Sequence, residues 1–145
     1  MIKIVYFNVR ARAETARMIL EYGKIPYVDE NTATYFGCGW REAKSQTPFG
    51  QLPLIDVGDG VVFAQEAAIN RYCASLVPEL VPADPRQAAV CDSIYFAAEE
   101  LSAVNPIVNV KSGEEFARAK KDFLDNVLPR RLQNLKKFMA IFKTK

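Results

Sequence analysis

Short apolar runs rich in β-branched residues alternate with stretches of helical periodicity through the first half of the chain. That alternation restricts the fold to a sheet with helices packed on it. Ile2 to Phe7 (IKIVYF) reads as a buried strand. AETARMILEYG follows, a helix with Ala13, Ala16, Ile19 and Leu20 on one side and Gly23 as its stop. IPYVDE reads as a second strand, and GWREAKSQ as a short helix or irregular turn. LPLIDV and VVFA flank GDG and form a hairpin. AQEAAINRYCASL is a helix with Ala68, Ile69, Tyr72, Cys73 and Leu76 on one side. The predicted order is β-α-β-α-β-β-α, ending near Leu76.

Pro78, Pro82 and Pro85 then fall close together in VPELVPADPR, a composition that marks a linker. The expected organisation is a domain over residues 1–77, a linker over 78–85 and a partial all-α region over 86–145, built from two long helices. The first helix is predicted from about Arg86 to Val104, with Pro106 stopping it. The second carries a stripe at Phe116, Phe123, Val127, Leu128, Leu135, Phe138 and Phe142, and Pro129 should kink or divide it.

Composition narrows the chemistry. The net charge of the 145 residues is only +2, which gives no overall case for a nucleic-acid partner. Lys111–Lys145 holds ten basic residues against four acids, but such a run is ordinarily the solvated face of a helix. The chain has no histidine, so histidine triads, ligands and general bases are excluded. Cys38, Cys73 and Cys91 form no C-x-x-C and read as reduced, mostly buried thiols, with no metal site expected. The charged start is no signal peptide and no apolar run reaches membrane-spanning length, so a cytoplasmic protein is expected.

Three segments concentrate polar residues where β-α-β folds bind ligands, at strand ends and helix N-termini. They are VYFNVRARAE, PFGQLPLI and AQEAAI. With Trp40 and Lys44 between them, and with the continuation Q-x-x-AI-x-RY, they resemble the thioredoxin-like domain of cytosolic glutathione transferases. The likeness is to the sigma class, which includes the prostaglandin D synthase type. It covers most of the first half. A fainter likeness to the first two helices of the family's all-helical domain runs over Arg86 to Phe142.

The resemblance implies roles. Tyr6 would be catalytic, its hydroxyl stabilising the glutathione thiolate, with Arg12 favouring negative charge nearby. Trp40 and Lys44 would hold the glycine carboxylate. Leu52, ahead of a cis Pro53, would pair its backbone with the cysteinyl backbone. Gln51 and Gln65 would bind main-chain and γ-glutamyl groups, with Phe7 and Glu66 completing the site. The activity implied is attack of glutathione thiolate on a hydrophobic electrophile, or a glutathione-dependent isomerisation. The alternative is a non-catalytic module of the same fold, serving as a subunit of a larger assembly. Plainer roles stand beside these: a strand-end tyrosine usually packs in the core, Arg10 reads as a solvated charge, and Cys38 as inert.

Three departures from the family pattern stand out. The turn before the first helix reads RAR, and Ala11 is tolerated there if its φ is negative. The chain ends at Lys145, where family members continue with further helices, so exposed apolar surface is expected on the Arg86–Phe142 helices. That surface argues for a homodimer or a larger complex over a stable monomer. Glu66 stands where serine or threonine is usual. Its carboxylate should cap the helix itself and weaken glutathione binding, and Glu66→Ser should restore it.

Overall fold

The computed structural model describes residues 1–106 and 112–143. The chain divides into two units, Met1–Pro82 and Ala83–Lys145. The first is built on strands β1 (Ile2–Val5), β2 (Tyr27–Glu30), β3 (Leu54–Asp56) and β4 (Val62–Ala64), with helices α1 (Glu14–Tyr22), α2 (Thr32–Phe36), α3 (Trp40–Ala43) and α4 (Glu66–Ser75). The sheet order is β2-β1-β3-β4. β1 runs parallel to β2 and antiparallel to β3, and β3 and β4 form the predicted hairpin.

β1 is a central strand covered on both faces. Side chains alternate across a strand, so Ile2, Ile4 and then Tyr6 enter one core cluster with Ala16, Leu20, Ile69 and Cys73 of α1 and α4. Val5 points the other way and joins Leu54 and Ala64 under Tyr35, Phe36 and Leu52. Ile4, Leu20, Leu54, Ile55 and Ile69 are completely enclosed, each contributing roughly 1.5–3 kcal/mol by burial.

The second cluster needs a cover, and α2 supplies it. This helix was not anticipated from the sequence. Asn31 starts it with a reciprocal cap: Thr34 N–H donates to Asn31 Oδ1 and Asn31 N–H donates to Thr34 Oγ1, each at 3.1 Å. Gly37, at φ 72°, ends it.

Two details of the helix reading change. Gly23 closes α1 with an ordinary φ of −74°, while Lys24 takes the left-handed turn at φ 53°. The glycine is needed for space: a methyl group there would stand 2.3 Å from Val77 Cγ2. On α4, Ala68 is exposed and Asn70 is buried beside Ile69 and Cys73. The helix is rotated so that Ile69, Asn70 and Cys73 face inward, which turns Ala68 out.

The second unit contains α5 (Pro85–Ala103), α6 (Gly113–Asp122) and α7 (Leu128–Lys143). Asp84 caps α5 by accepting from Arg86 N–H at 3.0 Å, and Pro85 occupies its first position. The last linker proline is thus the helix start, because a missing N–H costs nothing there. The expected break at Pro129 appears just upstream as a π-helical turn, Phe123–Val127, with Leu128 N–H donating to Phe123 O. The wide turn moves the carbonyls that a proline ring would otherwise strike. Arg131 pins α7 to α5 by donating to Glu100 at 2.7 Å. Among the described residues, none of α5, α6 or α7 is fully buried. The stripe from Phe116 to Phe138 is half-buried and Phe142 is exposed. Cys73 is buried, which pushes its thiol up to about 11. Cys91 is exposed, contrary to the expectation of mostly buried thiols.

Asp56 ties the hairpin to the α2 side of the sheet. Its Oδ1 accepts from Gly58 N–H at 2.8 Å and its Oδ2 from the Tyr35 hydroxyl at 2.9 Å. The Gly58 hydrogen bond leads in holding the Asp56 carboxyl below its ordinary 3.8, against an opposing effect of burial. Burial and the bond to Asp56 push Tyr35 up to about 12.

Two measurements follow. Gly23→Ala should lose about 1–3 kcal/mol, because Val77 is β-branched, buried and unable to swing aside; urea unfolding reads this as a lower midpoint at unchanged slope. The depressed Asp56 value means its contribution is present above pH 3.8 and lost as pH falls through the folded value. Tyr35 contributes below pH 10 and loses that contribution as pH rises toward 12. Asp56→Asn should therefore lower the midpoint at neutral pH, and flatten both limbs of the stability–pH curve.

Candidate functional site

The same alternation that buries Tyr6 brings Phe7 out on the opposite side. Phe7 lines a cavity of about 370 Å³ together with Arg12, Trp40, Gly50, Gln51, Leu52, Pro53, Gln65 and Glu66. Eight of the ten residues singled out in the sequence meet here, from four separated segments. The local backbone explains how. After β1 the chain makes a 3-10 turn, Ala11–Ala13, that presents Arg12 ahead of α1. Gly39 opens α3, and the Trp40 ring packs edge-to-face on Phe7 with centroids 5.5 Å apart. The Leu52–Pro53 peptide is cis, and Pro53 is buried at the entrance to β3.

Two residues stand apart. Tyr6 is only 7% exposed, its ring sits in the core cluster, and it does not line the cavity. Its contact with the site is through the neighbouring Phe7 ring, at a centroid distance of 5.4 Å. Lys44 is exposed and also absent from the lining. Its stem lies over Gly50, where a methyl group would stand 3.4 Å from Cε. Gly50 is the lining residue that the sequence reading did not single out. Its φ of 62° is the left-handed conformation that glycine adopts without cost, and its signal was the glycine of PFGQLP.

Strain gathers around the cavity. Ala11 has φ 36°, not the negative value expected. The tight turn that delivers Arg12 leaves it no alternative, and a left-handed conformation costs an L-residue roughly 1–2 kcal/mol. Gln65 is further from the usual regions, at φ 77° and ψ 117°. Its carbonyl still accepts from Ile69 N–H at 3.0 Å, so α4 begins normally behind it. Conformations of this kind persist where surrounding structure enforces them, and they concentrate at binding sites. Gln65 Nε2 also lies 3.5 Å from Gln51 Oε1, across the cavity wall.

Glu66 is the first residue of α4, and Arg12 Nη1 is 3.4 Å from its Oε2. The Glu66 side chain is 18% exposed and that of Arg12 is 49% exposed. Arg10 has its charge in solvent, 3.8 Å from Glu14, a pair worth little. Cys38 Sγ accepts from Gln46 Nε2 at 3.6 Å. Among the described residues, no three His, Cys, Asp or Glu side chains lie together as a metal site would require, and no helix is long and apolar enough to cross a membrane.

No family model matches the chain. Individual relatives do. It is 33% identical to a hematopoietic prostaglandin D synthase of Gallus gallus and 34% identical to glutathione S-transferase 1 of Ascaris suum, in each case over 95% of this chain and 66% of the relative. Among solved structures, it superposes on the glutathione S-transferase of Ascaris lumbricoides with a TM-score of 0.75 and 30% identity, covering 97% of this chain and 68% of that one. A rat hematopoietic prostaglandin D synthase bound to a quinoline gives a TM-score of 0.79 at 26% identity, covering 92% and 64%. The fold, a thioredoxin-like unit followed by a helical one, is the one these enzymes share. The chain belongs to the glutathione transferase family and spans about two thirds of the length of these relatives.

Proposed function

We propose that this protein binds glutathione in the cavity around Phe7, Arg12, Trp40 and Glu66, and uses its thiolate against a hydrophobic electrophile or in an isomerisation. The observation that carries this reading is the convergence of eight motif residues on one wall-to-wall cavity. Residues 1–77 supply the glutathione-binding domain. Bound glutathione would supply the nucleophilic sulfur, and the chain's part is to hold it and favour its deprotonated form. Leu52, at the cis peptide, offers backbone groups to a peptide in extended form. Trp40 walls the cavity beside Phe7, and the Lys44 ammonium stands near enough to its rim to attract a carboxylate. Arg12 is the cation within the lining and favours a thiolate there.

Tyr6, whose ring lies behind Phe7 and outside the cavity lining, is proposed as the hydroxyl donor to that thiolate from its place in the family motif. Its backbone is held directly after β1, where its N–H donates to Glu30 O at 2.9 Å. A positioned donor of this kind changes the rate by about a hundredfold or more.

The half-exposed helices of the second unit support a homodimer over a free monomer, and the setting proposed is cytoplasmic. The relatives reported above bear enzyme names, which favours catalysis over the assembly-module alternative.

Retention on immobilised glutathione, with elution by free glutathione, should be specific. Tyr6→Phe should keep that retention and lose about a hundredfold in conjugation of a generic aryl halide. No specific retention of the parent would refute the binding reading; parental turnover in the variant would remove Tyr6 from the chemistry.

A further inference from the structure

Among the described residues, the cavity lining has two charged side chains, Arg12 and Glu66, and they face one another at 3.4 Å. The N-terminus of α4 is the end of this cavity where outward N–H groups and the helix dipole would attract a ligand carboxylate. A carboxylate of the protein already stands there. Glu66 is mostly buried, its side chain 18% exposed, so it lies within the wall and not in solvent. A ligand carboxylate brought to the same place meets a like charge at short range, where screening by water is reduced. Arg12 Nη1 donates to Glu66 Oε2 at 3.4 Å, so part of the guanidinium's charge is already engaged by a carboxylate of the protein. A neutral amide in place of the ligand carboxylate removes the like charge and offers N–H donors that Glu66 Oε atoms accept, while the neighbouring α-ammonium is common to both forms and does not distinguish them.

We propose that Glu66 sets the ligand class of this cavity: thiol peptides of the γ-glutamyl type whose α-carboxylate is neutralised, as an amide or ester, in preference to glutathione itself. The proposal rests on the reading of the cavity as a thiol-peptide site. Glu66 acts here as a specificity-determining residue, rejecting one charge and accepting N–H donors, and takes no part in bond making.

The test is calorimetric titration of the full chain with glutathione and with its γ-glutamyl α-amide, on the parent, Glu66→Ser and Glu66→Gln. Thermal unfolding of each variant establishes that it is folded. The parent should bind the amide about tenfold more tightly than glutathione, the ratio expected when roughly 1.4 kcal/mol of repulsion is removed. Both variants should bind glutathione several-fold better than the parent, and their preference for the amide should vanish. Glu66→Gln keeps the side chain's shape without its charge, so an amide preference that survives in it would overturn an electrostatic cause. Equal binding of both peptides by the parent would overturn the proposal and leave the thiol-peptide site intact. Failure of both peptides to bind the folded parent and the folded variants would overturn the thiol-peptide site, and the proposal with it.

Discussion

Everything in the first unit depends on β1 being buried on both faces. A strand with one wet face would need one helical layer; this one needs two. Ile2 and Ile4 are sealed by α1 and α4, while Val5 and Leu54 are sealed by Tyr35 and Phe36 of α2. Because side chains alternate, the strand's end sends consecutive residues to opposite layers. Tyr6 continues the α1/α4 side and is enclosed, whereas Phe7 emerges where Trp40 and Leu52 converge.

The cost of assembling the cavity is visible in its backbone. Ala11 and Gln65 both take positive φ values at the two turns that aim Arg12 and Glu66 at one another. Each is a residue ill suited to that conformation, and each is followed at once by a helix that begins without defect. Gln65 hands its carbonyl to Ile69 N–H, and the cap backbone at Glu14 returns to Ala11 O. Tertiary packing of α1 and α4 around Leu20, Ile69 and Cys73 therefore pays for two strained turns, and the turns hold the site's charged pair in place. Stability and site geometry are coupled through those few residues.

The second unit is organised differently. Its described helical residues are mostly exposed, with a half-buried apolar stripe and the Arg131–Glu100 pair on the inner side. The helical run from Gly113 is unbroken through Pro129, and the π-helical turn at Phe123–Val127 just before it widens the backbone where the proline ring must fit. Pro85 is tolerated because a helix start has no partner for its N–H, and Pro129 because the wide turn moves the carbonyls away from its ring.

Legible in the sequence were the order of the strands, the helices α1, α4 and α5, the hairpin at GDG and eight of the residues that line the cavity. These are legible because they rest on local chemistry: periodicity, turn glycines, cap residues and short motifs. What it did not show was α2, whose short run of threonines and aromatics has no amphipathic period, and whose reason to exist is the uncovered face of β1. Nor did it show that Gly23 is required by Val77, a residue 54 positions away in the chain, or that Ala68 faces outward on α4. The separation of Tyr6 from Phe7, the positive φ of Ala11 and the pairing of Arg12 with Glu66 were likewise decided by the tertiary structure. Each depends on distances between segments remote in sequence, and local propensity carries no record of them.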